Sequence, residues 1–379
     1  MMLSTRQFHP QAHLAQLVPS HRHTVFSPPG VVVESSKFPV MFAGILASKS
    51  PSEHISIYDH PRAWSGFSRD AILAMRESLY RLMVPVNGRE MAPAGTIETL
   101  RRIALSASPV AIGVEGPTLP PRHLDMLPGL IPSGPRVVVS DIQLLSEPET
   151  SRVAEKICEN DIPAAQGVWK LLEYDYSLDQ VARFLSLGML GRHKSRRLLP
   201  TRAAYKVAID AVVDQVILNL VDGPTVSSYH THVGSHYGDV VTVICAPGQP
   251  RVDYFRAEIA EDGLRFSYSL EDARVPSSDA RTSLLGDHAR FSAYSAMHES
   301  GRGSHMLILH SAKPSNRRLE PWLTRSAVKH ALESHPAHTD TVDEAFEIVS
   351  PVLRPSLDVW ARNAPIFERI ASFEQLRLA

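Results

Sequence analysis

At 379 residues, 44% hydrophobic and 21% charged, the chain has a globular composition and room for one large or two ordinary domains, which excludes disorder as the default. A formal net charge of -1, from 39 Lys and Arg against 40 Asp and Glu, excludes a polycationic binder, so any nucleic-acid contact must come from a local patch. Two cysteines, Cys158 and Cys245, exclude a disulfide framework or a Cys-rich zinc module, and with neither a bilayer-length apolar run nor a signal-peptide core the expectation is a cytoplasmic protein with no membrane partner.

Residues 1–29 are polar and His-rich and end in SPPG, which reads as a flexible arm. VVVESSKFPVMFAGIL, residues 31–46, carries β-branched and apolar runs around Pro39 and predicts one or two short strands. SIYDHPRAWSGFSRDAILAMRESLYRLM then passes from a turn into a helix. Ser68 is placed as its N-cap, and Ile72, Met75, Leu79 and Leu82 recur at helical spacing. A shorter helix follows at 97–105. Seven prolines between Pro109 and Pro135 predict an irregular connection that no helix can cross. RVVVSDIQLL, residues 136–145, reads as a buried strand, followed by helices near 147–160, 163–174 and 178–187.

GRHKSRRLLPTRAAYK, residues 191–206, concentrates six Lys or Arg in sixteen positions. Thr201, after Pro200, is placed as the N-cap of a helix over 202–220, on which Lys206, Asp210 and Asp214 share one face. Beyond Gly223 and Pro224, DVVTVICAPG, RVDYFRAEIA and LRFSYSL are strand-like, and a helix over 287–298, a strand over 304–311, the helix PWLTRSAVKHALES and a helical tail complete the chain. The fold class expected is α+β, helix-rich in the N-terminal half with a mixed or antiparallel sheet in the C-terminal half. The expected divisions are an arm over 1–29, a helix-rich region over 30–222 and an α+β region over 223–379.

A helix start exposes unpaired N–H groups and the positive end of its dipole, and guanidinium forks added to it make a phosphate site for a nucleic-acid backbone or a nucleotide. Arg196, Arg197, Arg202 and Lys206, with Thr201 at the helix start, are the candidates. The competing readings are a solvated loop whose arginines pair with nearby acids, a Thr201 that only caps, and an Asp210 that only pairs with Lys206. SYHTHVGSHYGD places His230, His232 and His236, near Asp239, as ligands for Zn²⁺ or another transition metal, against the alternative of solvent-facing strand histidines. Asp210 and Asp214, one turn apart, could form half of a Mg²⁺ site, and Asp210 is the candidate catalytic residue of such an enzyme. GRGSH at 301–305 lacks the length and Lys of a phosphate loop, and no hydrolase, zincin or dinucleotide motif occurs.

These segments resemble the archaeal Nre family of DNA-repair-associated proteins. RRLLPTRAAYKVAID is similar to a family motif of the form RKLVPTRWSITAVDD, matching at Arg196, Pro200, Thr201, Arg202 and Asp210. SPPGVVVESSKFPVMFAGIL looks like SPPxVFVGRxGYPxVxVGPL, with Pro39 and Gly44 in register. IYDHPRAWSGFSRDAILAMRESL is similar to LxDxPExWxGxSxxxIxxxRSSL, placing Asp59, Pro61, Trp64, Gly66 and Arg76. GDHARFSAYSAMHE and WLTRSAVKHAL look like GGYYAARLAVLE and WVVREGVRKAF, placing Gly286, Arg290, Trp322, Arg325 and Lys329. The five motifs are collinear from about residue 27 to 332.

The chain departs from the family at four points. No Cys precedes position 158, so the family's zinc segment is missing, although His9, His13, His21 and His23 occupy its place. FEQLRLA supplies Gln375 and Leu378 of a QxxLxxFF tail but neither aromatic, which counts against docking on the sliding clamp. Ala203 and Ile209 replace the motif's Trp and first Asp. The resemblance implies a divergent member that acts at DNA in repair, with no catalytic mechanism carried over. Arg290, Arg325 and Lys329 are its expected second basic surface. The trp and aromatic residues of the motifs, Trp64, Trp322, Tyr294 and Phe291, suit either base stacking or the core. The alternative is a metal-dependent enzyme acting on nucleic acid or nucleotides, with Arg202 holding phosphate and Asp210 as base or Mg²⁺ ligand. A third reading is an interaction module with no ligand of its own.

Overall fold

Strand β1 (His21–Lys37) begins inside the stretch expected to be an arm, and it pairs with two neighbours in succession. A computed structural model of the chain describes residues 21–52, 54–88, 94–127, 129–261, 263–271 and 280–366. The chain divides into two units, one of Met1–Leu127 with Pro132–Ala208 and one of Pro128–Ile131 with Ile209–Ala379.

The first unit holds β1, β2 (Val40–Ser48), α1 (Arg69–Glu77), β3 (Tyr80–Asn87), α2 (Ala94–Leu105), β4 (Val110–Gly116), β5 (Arg136–Val138), β6 (Asp141–Leu144), α3 (Arg152–Glu159), α4 (Ala164–Glu173) and α5 (Leu178–Ser186). Its six strands run in the order β5-β3-β2-β1-β4-β6. Residues 21–27 of β1 pair antiparallel with β4, and residues 30–37 pair with β2, so the strand bridges the middle of the sheet.

Sheets thus occur in both halves, and the expectation of a helix-rich N-terminal half is not confirmed. The helix expected to continue through Leu82 stops at Glu77, and YRLMVPVN becomes a strand with Leu82, Met83, Val84 and Val86 buried. A short apolar run carries no period that separates a buried strand from a buried helix turn. Likewise VAIGVEG, between Pro109 and Pro117, forms β4 inside the proline-rich connection. Prolines at both ends of a strand leave its ladder intact. Gly44 is required by the close pairing of β2 and β3, since a Cβ there would lie 1.9 Å from Leu82 O. Ser68 caps α1 as expected, its hydroxyl accepting the Ala71 N–H at 3.2 Å.

Helix α6 (Thr201–Leu220) starts in the first unit and ends in the second. The second unit continues with β7 (Tyr229–His236), β8 (Asp239–Ala246), β9 (Arg251–Ala260), β10 (Gly263–Ser269), α7 (Ala280–Ser300), β11 (His305–Ala312), α8 (Trp322–Leu332), β12 (Ala337–Thr339), α9 (Val342–Val349) and α10 (Leu357–Asn363). The sheet order is β10-β9-β11-β8-β7-β12, mixed because β9 and β11 are parallel. Phe255, Ala257, Leu307 and Leu309 form a core with Val342, Phe346 and Val349 of α9 and Trp360 of α10. Burying each large apolar side chain contributes ~1.5–3 kcal/mol. Helices α7 and α8 pack on each other and on the strands, α7 on β9 and β10 and α8 on β7 and β8. Among the described residues no helix is long and apolar enough to cross a membrane.

Candidate nucleic-acid interface

The basic stretch is a loop braced from within. Gly188, at φ +60°, turns the chain after α5, and a Cβ there would lie 2.7 Å from Arg197 O. A 3-10 turn over His193–Ser195 follows, then extended residues lead to α6. The His193 N–H donates to Asp161 Oδ1 at 2.6 Å, and Leu199 N–H donates to Ser186 O at 2.9 Å. The loop is thereby tied to the ends of α3 and α5.

The arginines divide by what they touch. Arg196 donates from Nε to Gly191 O and from Nη2 to Asn160 O, both at 2.8 Å, and partial burial lowers its pKa. It closes the loop from within. Arg192, Lys194, Arg197 and Arg202 are exposed, and none of their side chains has a hydrogen bond or ion pair among the described residues. Lys206 is exposed one turn into α6 from Arg202. The loop therefore presents several cations at the start of a 20-residue helix.

Thr201, expected as the N-cap of this helix, bonds to a strand. It is the first residue of α6 and is buried, its Oγ1 accepting Val33 N–H at 2.9 Å and the Ser186 hydroxyl at 3.2 Å. The strand N–H claims the oxygen a cap would offer to its own helix. Pro200 supplies the carbonyl for Ala204 N–H at 3.0 Å. Tyr205 OH donates to Asp179 Oδ1 at 2.7 Å and so fixes α6 against α5.

Sequence reasoning missed the buried cluster that supports this region. Asp59 accepts from Arg76 Nη1 and, at 2.7 Å, from Arg183 Nη2, with side-chain exposures of 10%, 3% and 11% respectively. Arg76 Nε donates to Pro132 O at 2.8 Å, and Arg183 also reaches Pro29 O and Asp59 O. A Cβ on Gly30 would lie 2.5 Å from Asp59 Oδ2. Burial, then the Arg183 charge, holds the His60 imidazole below its ordinary pKa. Asp59 and Arg76 stood in one motif of the sequence; Arg183 carried no motif and no signal.

The expected second basic set lies in the second unit and is mostly spent. Arg290, 19% exposed, donates to Glu271 at 2.9 Å and reaches Asp287 at 3.5 Å. Burial pulls its pKa down, and those two acids more than offset it. Arg325 Nη1 lies 3.4 Å from His288 Nδ1, and its carbonyl accepts the Ser292 hydroxyl at 2.9 Å. Lys329 is 68% exposed and lies 3.6 Å from Glu333. Trp64, Trp322 and Tyr294 are buried, which places them in the core rather than on a stacking surface.

The histidines do not converge. His230, His232 and His236 share a strand face, but at ~3.3 Å per residue the first and last stand about 20 Å apart, far beyond the ~2 Å bonds of one metal ion. His230 stacks edge-on against His338 at 4.4 Å, His232 Nδ1 lies 3.0 Å from Ser334 O, and His236 Nε2 lies 3.0 Å from Ser326 Oγ. Asp239 is buried elsewhere, bound by His310, Asn316 and Lys313 N–H. Among the described residues no group of three or more His, Cys, Asp or Glu is placed to hold a metal ion. Asp210 is half-buried and Asp214 exposed one turn further along α6. His21 and His23 lie on β1; His9, His13, Gln375 and Leu378 lie outside the described residues.

The family described as archaeal Nre, N-terminal, matches residues 5–261. The chain is 25% identical over 349 residues to DNA repair protein NreA of Haloferax volcanii, covering 87% of this chain and 82% of that one. It is 22% identical over 338 residues to DNA repair protein NreA of Archaeoglobus fulgidus, covering 86% and 83%. DNA repair protein NreB of Archaeoglobus fulgidus is 24% identical over 226 residues, covering 58% and 55%. No solved structure matches the chain significantly.

Proposed function

The chain belongs to the archaeal Nre family, and from that premise we propose that it is a DNA-repair-associated protein that binds DNA phosphates through the loop before α6. Arg192, Lys194, Arg197, Arg202 and Lys206 make the contacts, while Arg196 and Thr201 hold the loop and the helix start in place. The observation that carries this reading is the division within the loop: one arginine is spent on carbonyls, while Arg192, Lys194, Arg197 and Arg202 stay exposed with no ion pair among the described residues. Side chains that fix phosphate register need no base contacts, so binding is insensitive to sequence. The names of the NreA and NreB relatives support the repair context.

A salt titration of duplex DNA binding, read by fluorescence anisotropy, tests it. The double charge reversal Arg197→Glu with Arg202→Glu should weaken binding to every sequence and reduce the log–log salt slope by about 2. Unchanged affinity and slope overturn it.

A further inference from the structure

Strands β7 and β8 are joined by a two-residue turn, Tyr237 and Gly238, with φ of +52° and +82°. A tight hairpin turn of this hand requires positive φ at both central positions and favours Asn-Gly. A tyrosine there is strained by ~1–2 kcal/mol, and such strain persists where the side chain has a task. The ring is half-buried and held edge-on by two others, His236 at 4.6 Å and 84° and Trp322 at 5.9 Å and 63°. Its carbonyl accepts Asn316 Nδ2 at 3.1 Å. The tyrosine is therefore anchored at its backbone and edges.

Cations flank it. A Cβ on Gly238 would lie 2.5 Å from Lys313 Nζ, so the ammonium lies across the turn. Lys313 is exposed, and its side chain has no acid partner among the described residues. On α8, Trp322, Ser326 and His330 follow at one-turn spacing; Ser326 meets His236, and the exposed His330 ring lies 5.3 Å from it. An oriented, partly exposed ring beside unpaired positive charge matches a base with its adjoining phosphate.

We propose that this hairpin tip is a stacking site for an unpaired base of single-stranded DNA, with Tyr237 as the platform and Lys313 as the phosphate contact. Taking DNA as the polymer rests on the repair reading above; the site itself uses none of the loop residues.

The full chain is titrated into a fluorescein-labelled oligothymidylate and into a labelled duplex. Tyr237→Ala should weaken strand binding about tenfold and leave duplex binding within about twofold, whereas Tyr237→Phe keeps both. Lys313→Glu should weaken strand binding and flatten its salt dependence. Tyr237→Asn relaxes the turn, so it should raise the thermal midpoint while losing strand binding as Tyr237→Ala does; this separates the lost ring from a damaged fold. Strand affinity unchanged in Tyr237→Ala, or equal losses on strand and duplex, overturns the proposal. If Arg197→Glu with Arg202→Glu weakens binding and Tyr237→Ala does not, the loop stands and the hairpin site falls; the reverse pattern keeps the hairpin site and removes the loop. A wild-type chain that binds neither probe overturns both.

Discussion

Thr201 Oγ1 accepts the N–H of Val33 at 2.9 Å, joining residues 168 positions apart. The bond ties the first turn of α6 to the middle of the first unit's sheet, and Ser186 adds a second hydrogen bond to the same oxygen. A loop set on a rigid element keeps its charges in fixed positions, which would reduce the ordering cost of the DNA binding proposed for it.

Replacing that hydroxyl tests its role. Thr201→Val leaves the buried Val33 N–H without an acceptor and should cost ~1–3 kcal/mol of stability. Urea denaturation measures the loss. The salt slope of DNA binding should not change in the folded variant, because Thr201 contacts protein and not phosphate.

Asp59 is shared by Arg76 and Arg183 in a nearly dry cluster. Asp59→Asn leaves two guanidinium groups without their counter-charge and should destabilise the first unit by ~3–5 kcal/mol. A lower denaturation midpoint, with faster proteolysis around residues 55–76, is the expected outcome. A variant as stable as wild type would mean that the carbonyls of Pro29, Tyr58 and Pro132 suffice.

Adjacent arginines should behave differently. Arg196→Ala removes two bonds to carbonyls and should speed amide exchange across residues 191–199. Arg197→Ala should leave exchange unchanged and lower the salt slope of DNA binding by about 1. Equal exchange in the two variants would contradict the division of labour in the loop.

Stability should fall on mild acidification. Burial holds His60, His230, His232, His236 and His305 below the ordinary imidazole pKa of 6.5, in spite of the Asp253 carboxylate beside His305. Below about pH 6.5 the unfolded chain takes up protons that the folded chain refuses, so ΔG of unfolding declines as pH drops and is unaffected by these groups above it. Asp239 has the carboxylate sign. Burial pushes its pKa up, but His310, Lys313 N–H and Asn316 outweigh burial and hold it below 3.8. Its contribution is present above that value and is lost as pH falls further. Denaturation midpoints measured from about pH 7.5 down to 5 should decline, and His232→Gln should flatten part of the decline.

Much of the fold was legible because it is local. The Ser68 cap, the α6 segment, and the strands at DVVTVICAPG, RVDYFRAEIA and LRFSYSL each follow from neighbouring residues and their period. The first unit's sheet was legible only in part, at 31–46 and 136–145. YRLMVPVN and VAIGVEG are short, and only pairing with β1, β2, β5 and β6 makes them strands. The helix start and the density of charge at 191–206 were likewise fixed by composition alone. Which cations remain exposed was decided by tertiary structure: Arg196 faces the carbonyls of Gly191 and Asn160 while Arg197 faces solvent, and Thr201 answers a strand N–H rather than its own helix. A residue's propensity depends on its near neighbours in the chain. Its hydrogen-bond partners depend on which distant segments the packed core brings within about 3 Å, and no local pattern encodes that.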